Sequence, residues 1–155
     1  MNIVYVSSYV PRKCGIATYT RDLSEEILTQ GQKIAVFAME NDIPPSVRLK
    51  GPVISKIKQD SLEEYKKAAR TINAGNFDLV HIQHEFGLFG GRDGKYILEF
   101  ARLLSIPVVV SVCASFFLFD PVFEGSRIFN ENISVGCVGD FESFVKDEVR
   151  DDCIV

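Results

Sequence analysis

Short apolar runs along the chain are separated by stretches in which apolar residues recur three and four positions apart. Ile3 to Val6 alternates as a first strand, and Ile16, Tyr19, Leu23 and Ile27 fall on one face of a helix predicted over Thr18 to Gln30, with Gly31 as its stop. Ile34 to Ala38 predicts a second strand, Pro44-Pro45 an irregular loop, and Val53 to Ile57 a third strand. Ser61-Leu62-Glu63-Glu64 has the form of a capping box, in which the serine hydroxyl accepts the N3 amide and Glu64 reaches back. The helix it opens points Leu62, Tyr65, Ala69 and Ile72 inward and ends near Asn73 to Gly75. Leu79 to Ile82 is the fourth strand, Lys95 to Leu104 a helix carrying Ile97, Phe100, Ala101 and Leu104, and Val108 to Val112 the fifth strand. Strands separated by helices are βαβ units, which close right-handed onto a parallel sheet. The predicted fold is a Rossmann-like three-layer α/β/α sandwich over residues 1–112.

The alternation stops there. Residues 111–155 hold seven of the twelve phenylalanines, three of the four cysteines, and nine acidic against three basic residues. Phe141, Phe144, Val145, Glu148 and Val149 would fit one amphipathic helix, but no regular strand and helix pattern follows. Residues 113–155 therefore read as an atypical tail, either a shifted or prematurely ended reading frame or a docking segment.

Composition narrows the function. With 155 residues, 46% hydrophobic and 25% charged, the chain can bury a core. Its net charge of −4 and the lack of a basic helix argue against nucleic acid as a partner. Met1 to Val6 has no basic leader, and the longest apolar stretch, Ile106 to Phe119, is broken by Pro107, Ser111 and Ser115. It falls short of the roughly 18 residues a spanning helix needs, so a cytoplasmic location is expected. Cys14, Cys113, Cys137 and Cys153 form no CxxC pair, so no metal site and no disulfide framework are expected.

Two loops carry the candidate chemistry. Gln83-His84-Glu85-Phe86-Gly87-Leu88-Phe89-Gly90-Gly91-Arg92-Asp93-Gly94 follows the fourth strand, at the carboxyl edge where open α/β sheets bind ligands. Ser7 to Thr18 joins the first strand to the first helix through one glycine, Gly15, beside Arg12 and Lys13, so that amides of a helix start can meet an anion. It is neither GxGxxG nor a Walker loop, which disfavours dinucleotide and P-loop folds.

Pro11-x-x-Cys14-Gly15-Ile16-Ala17-Thr18-Tyr19-Thr20 and Gln83-His84-Glu85-Phe86-Gly87-x-Phe89-Gly90-Gly91, in this order, resemble the amino-terminal domain of family-four glycosyltransferases. These are retaining enzymes of the GT-B fold, and the likeness is closest to mannosyltransferase-like members, over about residues 1–110. The resemblance implies one half of a GT-B fold, with the acceptor held by this domain and a nucleotide-sugar donor by a carboxyl-terminal one. It implies transfer of a hexose, with mannose the sugar expected, with retention, to a glycan or lipid-linked acceptor, and no cofactor beyond the donor. Gly15 would face the donor diphosphate, with Arg12 nearby, and His84 would lie at the transferred sugar as the catalytic candidate. Glu85, Phe86 and Gly87 complete the expected substrate contacts. Cys14 stands where many relatives have glycine.

Each role has a rival. Gly15 serves either a tight turn or the diphosphate, and Glu85 either orients His84 or an acceptor hydroxyl or caps a turn. His81, between Val80 and Ile82, reads as a hydrogen-bonded core histidine, whereas His84 reads as exposed to the cleft. Gly87, Gly90, Gly91 and Gly94 read mainly as shaping the loop, and Phe86 and Phe89 either stack on sugar or pack inward. Without a donor domain the isolated chain would be inactive. The alternative class is a non-catalytic glycan-binding module, or a subunit docking on a separate carboxyl-terminal half, with peripheral membrane contact left open.

Overall fold

The computed structural model describes residues 1–40, 51–113 and 133–138. The Pro44-Pro45 loop and the amphipathic Phe141–Val149 segment lie outside these residues. The described chain runs β1 (Asn2–Ser7), α1 (Gly15–Thr29), β2 (Lys33–Glu40), β3 (Val53–Lys58), α2 (Leu62–Ala74), β4 (Leu79–His84), a 3-10 turn (Arg92–Gly94), α3 (Tyr96–Arg102), β5 (Val108–Cys113) and β6 (Ile133–Val138). All pairings are parallel, in the order β3-β2-β1-β4-β5-β6. That order reverses between β1 and β4, which makes their carboxyl ends the switch point of a doubly wound sheet.

Alternation along the strands sorts the core into two layers. Val4, Val6, Phe37, Val80, Ile82, Val108 and Val110 face α2 and α3, which contribute Tyr65, Ala68, Ala69, Ile72, Ile97, Phe100 and Ala101. Ile3, Tyr5, Val36 and Ala38 face the other way, toward Leu23 and Ile27 of α1. The predicted three-layer sandwich is thus the architecture found.

Several local expectations are corrected. α1 begins three residues earlier than predicted, and its fully buried positions are Ile16, Ala17, Thr20 and Ser24, while Tyr19 lies 42% exposed. The helix lies on the sheet through small and hydroxyl side chains, so its deepest stripe is invisible to an apolar count. Thr20 and Ser24 stay satisfied by back-bonding to Ile16 and Thr20 carbonyls at 2.6 Å each. Ser61 is the N-cap of α2, but without a side-chain cap bond; the Glu64 amide instead reaches the Ser61 carbonyl at 2.9 Å. Gly31, at φ +76°, ends α1 as expected, its amide bonded to the Leu28 carbonyl at 3.0 Å. Ile133–Val138 pairs in register with β5, a strand the sequence pattern does not announce.

Candidate functional site

β1 and β4 are neighbours, with Val6 opposite Ile82, so Ser7 and Ser8 leave the sheet beside Gln83 and His84. The two loops singled out in the sequence therefore issue from adjacent strands at the switch point.

The β1–α1 loop turns through a cis Val10–Pro11 bond and a buried Tyr9, with the Arg12 amide bonded to the Tyr9 carbonyl at 3.1 Å. Cys14 is the N-cap of α1 in extended conformation and makes no side-chain cap bond; its sulfur sits 3.2 Å from Ser8 Oγ. No acidic residue occupies the first turn. The first amides of a helix have no intrahelical partner, and with the helix dipole they favour an anion. Gly15, first residue of the helix, is exposed; its φ is not positive, and a Cβ placed there would meet nothing within 4 Å. Among the described residues neither backbone conformation nor packing calls for glycine at this position, which gives the tight-turn reading no support there. Arg12 is half-buried in the same loop and Lys13 exposed.

The β4–α3 loop is braced from β3 and α2. Gln59 Nε2 donates to the Gly87 carbonyl at 2.6 Å, and the Gly90 amide donates to Tyr65 Oη at 2.9 Å. A Cβ on Gly90 would lie 1.8 Å from the Gln59 carbonyl oxygen, so that close approach admits only glycine. Gly87 sits at φ +75° in a turn closed by the Leu88 amide on the Glu85 carbonyl, 3.1 Å. The shaping role read for these glycines is present in the geometry, and Glu85 takes part in the turn through its backbone. Burial raises the Tyr65 phenol to about 12, keeping it protonated.

His84 is the last residue of β4, not a loop residue beyond it, and is 7% exposed. The expectation of a cleft-exposed imidazole is corrected: the ring stands between two aromatics, tilted against buried Phe89 at 5.5 Å and edge-on to Phe86 at 5.9 Å. Phe86 is 57% exposed, so the two loop aromatics have separate fates, one packed and one presented to solvent. His81 faces the other side of the sheet, Nε2 2.7 Å from Ser111 Oγ and its ring against Tyr5. Burial pushes it down to about 4, so it is neutral at pH 7, as a core histidine should be.

Sequence reasoning gave Gln83 no role, although it is 1% exposed and shares the buried end of the sheet with Ser7 and Thr20. A polar residue at an inward position of a strand was the available signal. Among the described residues no group of three or more His, Cys, Asp or Glu side chains is placed to hold a metal ion. No described helix is long and apolar enough to cross a membrane.

No protein-family model matches the chain, and no curated protein does. Solved structures do. An α-glucosyltransferase in complex with UDP and a 13-mer DNA containing a central A:G mismatch matches with a TM-score of 0.52 at 15% identity. An α-glucosyltransferase in complex with UDP and a 13-mer DNA containing an HMU base matches with a TM-score of 0.52 at 16% identity. Each match covers 72% of this chain, which spans 30% of the chain it matches. The fold of the chain is thus the Rossmann-like fold found in a glycosyltransferase.

Proposed function

We propose that this chain is the acceptor-side lobe of a retaining glycosyltransferase, which moves a hexose from a nucleotide sugar to a glycan or lipid-linked acceptor. The observation that carries the reading is Gly15: an exposed glycine at a helix start without a side-chain cap, required by neither turn nor packing among the described residues, after the strand that pairs with the one ending in His84. Such a start suits the donor diphosphate, with Arg12 adding positive charge. His84 is assigned to the transferred sugar, and Phe86 offers the exposed ring on which a pyranose can lie. Glu85 and Gly87, in the turn that follows His84, are assigned the further substrate contacts. Mannose as the hexose rests on the likeness of the two motifs to mannosyltransferase-like enzymes. The neighbours of known structure are α-glucosyltransferases holding UDP and DNA; the net charge of −4 favours an uncharged glycan over DNA as acceptor here. Complete turnover needs a donor-binding lobe, supplied by further chain or by a separate subunit.

Calorimetric titration of the chain with UDP-glucose and GDP-mannose tests this, alongside Gly15→Asp, which places a carboxylate where the diphosphate would sit. Weak binding of one nucleotide sugar that Gly15→Asp abolishes is expected. Equal binding by both proteins would contradict the assignment. The non-catalytic alternative is favoured by exposed Phe86 alone; it predicts that methyl α-mannoside binds as well as any nucleotide sugar.

A further inference from the structure

Beneath the two loops lies a buried polar trio that the proposed reaction leaves unused. Ser7 ends β1, Thr20 sits in the second turn of α1, and Gln83 is the penultimate residue of β4; the first two are fully buried and Gln83 is 1% exposed. Thr20 Oγ1 lies 2.6 Å from the Ile16 carbonyl, 3.0 Å from Ser7 Oγ, and in close contact with Gln83 Oε1. A threonine hydroxyl has one hydrogen to donate. If Gln83 Oε1 takes it, the amide Nε2 is left buried with no hydrogen-bond partner among the described residues. If the Ile16 carbonyl takes it, the Gln83 atom facing Thr20 must be the amide nitrogen, and the oxygen is the one left over. Either way one head of the Gln83 amide is buried without a partner among the described residues.

That arrangement lowers stability relative to an apolar side chain of the same shape. Thr20 does not need Gln83, because Ile16 and Ser7 already satisfy it. Stability therefore does not account for glutamine at this position, but its location does. Its amide reaches from β4 to Thr20 of α1, between the two candidate ligand loops.

We propose that Gln83 is a positioning residue, which ties the first turns of α1 to the ends of β1 and β4 and so fixes the spacing between the Gly15 amides and His84. The ligand that would use this spacing is a nucleotide sugar, and that part rests on the function proposed above; the tie itself can be tested without ligand.

The test uses Gln83→Met, of similar length but without the amide, and Thr20→Val, both in the full chain. Gln83→Met is expected to unfold at the wild-type temperature or above it, while amide exchange across Thr18 to Ser24 accelerates about tenfold. Thr20→Val is expected to show the same acceleration with a lowered unfolding temperature, because it orphans the whole Gln83 amide. A fall of more than about 5 °C in Gln83→Met, or unchanged exchange, would overturn the proposal by making the glutamine an ordinary core contact. Titration with UDP-glucose then separates the two claims. A wild-type chain that ignores the nucleotide sugar defeats the proposed function and leaves the exchange result to decide Gln83. A wild-type chain that binds it is expected to lose about fivefold in affinity on Gln83→Met.

Discussion

At the scale of single residues, Tyr65 shows how one hydroxyl supports the site. Its oxygen accepts the buried Gly90 amide, so Tyr65→Phe leaves that amide unsatisfied while the ring stays packed. A loss of about 1–3 kcal/mol is expected in denaturant unfolding, with faster amide exchange at Gly90. His81 gives a pH signature of known sign. Its folded pKa is depressed from 6.5 to about 4, so between these values the unfolded chain binds a proton that the folded chain does not. Stability is expected to fall as pH drops from about 6.5 to 4, by up to about 3 kcal/mol, and to level off in that contribution below. His81→Gln, which can keep the Ser111 bond, should remove this slope in unfolding curves measured across the range. The core histidine was legible from its place between Val80 and Ile82. The burial of His84 was not, because sequence marks where a strand pattern stops but not how far neighbouring aromatics close over its end.

At the scale of elements, the two loops use glycine in opposite ways, and this separates shaping from binding. Gly90→Ala would drive a methyl into the Gln59 carbonyl and is expected to cost about 1–3 kcal/mol in thermal or denaturant unfolding. Gly15→Ala meets no described neighbour and is expected to change stability by less than about 0.5 kcal/mol while weakening ligand binding. Equal destabilisation by both would contradict the distinction. The strands and helices themselves were readable, since β1 to β5 and the buried faces of α2 and α3 follow plain apolar periodicity. α1 was readable as a helix but not in its facing, because Ala17, Thr20 and Ser24 pack closest to the sheet and carry no strong apolar signal. β6 escaped notice for a related reason: Ser134 and Gly136 dilute its apolar pattern, and its pairing with β5 is a long-range property. The capping box failed in detail because the backbone of Ser61 already satisfies the Glu64 amide.

At the scale of the whole molecule, topology does what neither loop does alone. The strand order reverses between β1 and β4, so the loop that leads to Gly15 and the loop that follows His84, far apart in sequence, leave adjacent strand ends. Sequence supplied both loops and their order; the parallel register supplied their juxtaposition. The central claim is that this edge receives a nucleotide sugar. It is tested most directly by following the backbone amide resonances of the chain during titration with UDP-glucose and GDP-mannose. The account predicts that shifts concentrate at Gly15 to Ala17 and at His84 to Gly87 for at least one of the two, and spare β3 at the far edge of the sheet. Shifts scattered over the surface, or none at these two loops at millimolar sugar nucleotide, would contradict it.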